Sequence, residues 1–209
     1  MPSTEENIKD RIMQLARDKF FALGFSKVTM DELCEDLGIS KKTMYVHFHG
    51  KDDLVDAVIE WQVISVKGQI VETMRSSADF VDRIYHLWAM MGKMMSQICN
   101  QFVDDMRKFR PDLWAKVEMH RKENILANFS KMIDEGVRSG FVRGDINKDI
   151  MVLMYLGAIQ SIVNPDVISR HSFSTEEAYK SVLQVYFDGI LTDSARQHFR
   201  TKLSQQATR

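Results

Sequence analysis

Lys41, Lys42, Thr43, Tyr45 and His47 crowd into one short stretch, with Lys51 just beyond. From Gly38 to Lys51 there are three lysines, two histidines and no acid. The whole chain of 209 residues nevertheless carries a formal net charge of only −1. This chemistry is not that of bond breaking. It is the donor set that meets a nucleic-acid duplex: ammonium groups for base edges and phosphates, hydroxyls and imidazoles for phosphates. On a short helix the first turn lies closest to the bases. Lys41 and Lys42 are therefore expected to read base edges, with guanine O6/N7 as acceptors. Thr43 suits a thymine methyl or a phosphate. Tyr45, His47 and Lys51 suit phosphates, although His47 at a helix C-terminus also suits capping. Thr29, at a helix N-terminus, has a hydroxyl and a backbone N–H to offer a phosphate.

Such residues need a rigid frame, and the flanking sequence supplies one. Ile8, Ile12, Leu15, Ala16, Phe20 and Leu23 recur at helical spacing, which predicts an amphipathic helix over 7–23 that stops at Gly24. Phe25 is an apolar anchor behind it. Thr29 and Glu32 make a capping box for a second helix buried through Leu33, Cys34 and Leu37. Gly38 supplies a positive φ for a tight turn, and Ser40 caps the third helix. There Met44 and Phe48, four apart, point inward. Asp52 and Asp53 open a fourth helix that runs to about Met74.

The rest of the chain also reads as helical: Ser77–Ile98, a shorter helix near Gln101–Phe109, a long helix opened by Pro111 and reaching Arg138, one capped by Asn147, and a last one capped by Ser174 or Thr175. There is no β alternation. The expectation is an all-α protein of about nine helices.

The segment from Ile12 to Leu54 resembles the DNA-binding region of the tetracycline-repressor (TetR) family of bacterial transcription regulators. The resemblance rests on Phe20…Gly24-Phe25, Thr29, Gly38-Ile39-Ser40, Thr43-Met44-Tyr45, His47-Phe48, Lys51 and Leu54. Cys34 stands where alanine is usual in that family, and Lys19 where an apolar residue is common. The resemblance implies a helix-turn-helix DNA-binding domain over residues 1–52. A helical ligand-binding and dimerisation domain would cover 53–193, and 194–209 would be a polar basic tail. It also implies a regulator, usually a repressor, released from DNA by a small effector.

One helix-turn-helix makes few contacts, so two copies reading two half-sites of a palindromic operator are expected. Ile150–Val163 is apolar nearly all round and needs cover on every side. The homodimer interface is therefore expected at Met151, Met154, Tyr155, Ala158 and Ile162, with Tyr179, Val182 and Tyr186 of the last helix. The resemblance places an apolar or amphipathic effector among Trp88, Met91, Met94, Met95, Phe102, Met106, Trp114 and Met119, where methionine adapts to irregular shapes; the alternative is that these residues simply fill a core.

Other function classes find less support. No P-loop, dinucleotide fingerprint or nucleophile elbow occurs, so no enzyme activity and no cofactor are expected. His120 and Glu123 lie one turn apart without further ligands, and no metal site is expected. Asp104-Asp105 reads as a solvated face. Cys34 and Cys99 suit a reducing compartment. Met151–Ile159 is too short to span a membrane, and a cytoplasmic protein is expected. The alternative to a regulator is a helical adaptor that keeps the helix-turn-helix shape without reading DNA, but such a protein has no need of the cationic face.

Overall fold

The computed structural model describes residues 4–76, 79–168 and 170–207. Among them the elements are α1 (Thr4–Leu23), a 3-10 turn (Phe25–Lys27), α2 (Met30–Leu37), α3 (Lys41–His47), α4 (Lys51–Arg75), α5 (Phe80–Ser96) and α6 (Asn100–Phe109). They continue with α7 (Pro111–Asn124), a π turn (Ile125–Phe129), α8 (Ser130–Arg138), α9 (Lys148–Ile162), α10 (Pro165–Ile168), α11 (Thr175–Ile190) and α12 (Asp193–Ala207). The all-α expectation holds. The long helix expected from Pro111 to Arg138 is α7 and α8 joined through the π turn. Helix α10 and helix α12 are additional to the expected set.

The chain packs into two compact units. One comprises residues 1–66 and 97–117, the other 67–96 and 118–209. This differs from a boundary at residue 52. Helix α6 belongs with the first three helices because its apolar side is shared with them. Phe102 lies 4.7 Å from Phe21 and 6.2 Å from Phe25, ring centre to ring centre. The Cys99 N–H donates to the Phe21 carbonyl at 2.8 Å.

The first core gathers Ile12, Ala16, Phe20, Leu33, Met44, Phe48, Leu54 and Val58 with Phe102 and Met106. Cys34 is buried among them, and burial pushes its thiol above the ordinary range. That is the behaviour of a small apolar residue. One side chain breaks the apolar rule: Asp105 is 1% exposed. Asp104 beside it is exposed, so the expected solvated pair is half wrong.

The second core is built by α5, α8, α9 and α11 around Phe80, Ile84, Trp88, Ile133, Tyr155, Ile159, Tyr179, Leu183 and Phe187. Here the expected polar tail proves to be structure. Ala195 and Phe199 are buried, with Leu203 against them. Their four-residue spacing makes an apolar stripe on an otherwise polar helix. Lys202 pairs with Asp82, and Arg200 with Asp188 at 2.9 Å. Residues 77–78 and 208–209, which the expected fifth helix and tail included, lie outside the described residues.

Candidate nucleic-acid interface

The helix-turn-helix is assembled by local hydrogen bonds that the sequence encodes. Thr29 Oγ1 accepts from the Glu32 N–H at 3.2 Å, and Glu32 Oε2 accepts from the Thr29 N–H at 2.8 Å. Gly38 takes φ 64°, ψ 34°, the left-handed cap of α2, a conformation that costs a side-chain-bearing residue more than glycine. Ser40 Oγ accepts from the Thr43 N–H at 3.0 Å and opens α3. Met44 and Phe48 are fully buried and fasten α3 to the core. The opposite face of α3 is consequently fixed in orientation.

That face carries the expected residues, with differences in their availability. Lys42 is exposed and forms no ion pair with another described residue. Lys41 is exposed too, but its Nζ lies 2.8 Å from Asp31 Oδ2, and this contact raises its pKa. Tyr45 is 48% exposed. Thr43 is half-buried, its hydroxyl 2.9 Å from Ser40 Oγ. His47 is half-buried at the last turn of α3. Lys51 Nζ donates to the Ser26 carbonyl at 3.3 Å. At Thr29 the backbone N–H is taken by Glu32, and the hydroxyl also bonds Glu32.

Val46 was missed. It is 69% exposed on the same face. Two residues on from Met44 it lies about 200° round the helix, so the inward setting of Met44 already implies it. A branched apolar group there suits a thymine methyl. His49 is also exposed; its backbone N–H and its ring both meet Asp53 in the first turn of α4.

The model for bacterial regulatory proteins of the tetR family matches residues 12–58, the segment just described. YvaF of Bacillus subtilis, an uncharacterized HTH-type transcriptional regulator, is 30% identical over 175 residues, covering 81% of this chain and 88% of YvaF. The chain belongs to the TetR family. As a member of it, the chain is a DNA-binding transcriptional regulator, which sets the adaptor reading aside. Solved structures of the family share the fold. The TetR-family protein CprB from S. coelicolor superposes with a TM-score of 0.67 at 18% identity, covering 97% of this chain and 98% of CprB. A TetR-family regulator from Agrobacterium tumefaciens also gives 0.67, at 12% identity, covering 90% and 100%.

The regulator's other expected residues are distributed less simply. Phe102, Met106 and Trp114 belong to the first unit's core, while Trp88, Met91 and Met95 belong to the second. Met94 is half-buried and Met119 is half-exposed. They divide between the two units, because α6 contributes its apolar side to the first core.

The expected dimer residues also separate. Met154 and Ile162 are exposed, and Met151, Ala158 and Val182 are half-buried. Tyr155, Tyr179 and Tyr186 are buried in their own chain. The Tyr155 ring stacks 4.3 Å from Phe129, and the Tyr155 and Tyr179 hydroxyls lie 3.5 Å apart. Burial pushes the Tyr155 phenol up to about 12 and Tyr179 well above its usual value, so both stay neutral donors. No metal cluster involves His120 or Glu123 among the described residues. No helix among them is long and apolar enough to cross a membrane.

Proposed function

We propose that this regulator is a cytoplasmic, ligand-responsive repressor that binds a palindromic operator as a homodimer. The observation that carries the reading is the acid-free, outward face of α3, with Lys42, Tyr45 and Val46 exposed on a helix that Met44 and Phe48 hold in place. Lys42 and Val46 read base edges. Tyr45, His47, Lys51 and the Thr29 hydroxyl position the phosphates. Lys41 joins them once it leaves Asp31.

Two copies meet through the outer face of α9. Ile150, Leu153 and Met154 stand exposed there, and Gly157 one turn on leaves room for close helix approach. Val185 extends the patch on α11. An apolar stripe of this length on a soluble protein calls for a partner. An apolar or amphipathic effector, held in the second unit near Trp88, Met91 and Met95, favours the state that does not fit the operator. The extent of release is bounded by its differential affinity for the two states.

The test is selection of genomic fragments by the purified protein at two salt concentrations. A few inverted-repeat sites, lost steeply as salt rises, are expected. The double variant Lys42→Ala, Tyr45→Ala is expected to retain none of them while remaining a dimer. Wild-type retention by that variant would overturn the assignment of α3.

A further inference from the structure

We propose that Asp105 is a positioning residue for DNA reading: its buried carboxylate fastens α6 to the loop that leads into the helix-turn-helix. The proposal rests on the reading that α3 engages DNA. Asp105 is the buried charged side chain of the described residues, at 1% exposure. A carboxylate in an apolar core is costly unless its oxygens are paired. Here each oxygen has a partner. Oδ2 accepts from the Ser26 backbone N–H at 2.6 Å, and Oδ1 accepts from Gln101 Nε2 at 2.8 Å.

The loop is shaped to receive it. Gly24 has φ 85°, and a Cβ there would collide with Gln101 and lie 2.8 Å from Asp105 Oδ2. Only glycine allows α6 so close. Phe25 then seats its ring against Phe102 and Phe109 of α6.

Ser26 is held on both sides. The Ser26 N–H is held by Asp105, and the Ser26 carbonyl accepts from Lys51 Nζ at 3.3 Å. Three residues beyond Ser26, Thr29 caps α2. Asp105 thus acts on α2 and α3 through the Ser26 backbone. Lys51 is itself in the proposed phosphate set, so the same residue aligns one DNA contact with the helix pair that makes the others. A packing residue at position 105 needs only volume. A positioning residue needs an acceptor aimed at Ser26.

That difference sets the experiment. Asp105→Leu and Asp105→Ala remove the acceptor, one keeping apolar bulk. Asp105→Asn keeps it, because the amide oxygen accepts from Ser26 while its NH2 donates to a turned-over Gln101 amide. In full-length protein, Leu and Ala are expected to lower affinity for the selected genomic fragment by at least about tenfold, the loss of a hydrogen bond to a charged group. Amide exchange over residues 24–48 should accelerate in both. Asn should stay within about threefold of wild type, with its exchange unchanged. If neither Leu nor Ala folds, Gln101→Ala removes one of the two partners and should show both effects in weaker form. Wild-type affinity and exchange in the variants lacking the acceptor, or an Asn variant as impaired as Ala, would overturn the proposal. Should the wild type itself retain no DNA, the DNA reading of α3 fails, and the exchange pattern still decides the role of Asp105.

Discussion

Lys41 reaches across the turn to Asp31, its Nζ 2.8 Å from the carboxylate. Both side chains are about two-thirds exposed, so water screens the pair and it holds weakly. The pair nevertheless sets a negative charge beside the reading helix. Removing it with Asp31→Ala frees Lys41 and deletes a charge that repels phosphate. The variant should bind DNA roughly two- to fivefold tighter at low salt, with a steeper salt dependence. Fluorescence anisotropy across a salt series measures both. Unchanged affinity and slope would show that Lys41 stays away from the duplex.

The capping box at α2 makes stability depend on acid. The Thr29 N–H and hydroxyl both bond Glu32 and hold its carboxyl below the ordinary 4.5. Ser174 does the same for Glu177 at α11. A depressed folded value means that the unfolded chain takes up the proton first. The stabilisation is therefore complete above 4.5 and disappears as pH falls through the lower folded value. Melting temperature should drop below that pH, and Glu32→Gln should flatten part of the drop. Thr29→Ala should cost about 1 kcal/mol at neutral pH, the usual loss of an N-cap, measured by urea unfolding.

The N-terminal elements were legible because their signals are local. Thr29 with Glu32, Gly38 and Ser40 each specify a cap or a turn through neighbours within a few residues, and the structure shows every one. Asp105 was not legible, because its partner Ser26, 79 residues away, meets it only when α6 packs on the turn after α1. Helix α6 looked like a lining for a ligand because Phe102 and Met106 are apolar; nothing local says which core they join. The tail misled for the opposite reason. Its charges dominate the composition, and they hide Ala195, Phe199 and Leu203. Tyr155, Tyr179 and Tyr186 were expected to face a second chain because both of their helices are apolar over a wide arc. In the folded chain Tyr155 and Tyr186 pack on Phe129 of the π turn, and the Tyr179 hydroxyl lies by that of Tyr155.

The face left outward on α9 gives a sharp test of assembly. Leu153 is 60% exposed, so Leu153→Glu costs the folded chain little and places a charge in the middle of the proposed interface. The variant should sediment as a monomer where wild type is a dimer. Operator affinity should fall on the order of 100-fold, because the two half-sites are then bound independently. Tyr179→Phe, inside its own core, should leave sedimentation unchanged. A dimeric Leu153→Glu protein would place the interface elsewhere.

Phe199 tests whether α12 belongs to the fold. Its side chain has no exposed area and lies 5.5 Å from Phe187, ring centre to ring centre. Phe199→Ala leaves a cavity the size of a ring between α12 and the second core. The expected loss is about 3–5 kcal/mol, the range for deleting a buried aromatic ring. Urea unfolding followed by tryptophan fluorescence reads it, since Trp88, one of three tryptophans, lies in the same core. Arg200→Ala removes the surface pair with Asp188 and should leave the midpoint unchanged, which separates burial from charge. If Phe199→Ala unfolds at the wild-type midpoint, α12 frays in solution and the second core closes without it.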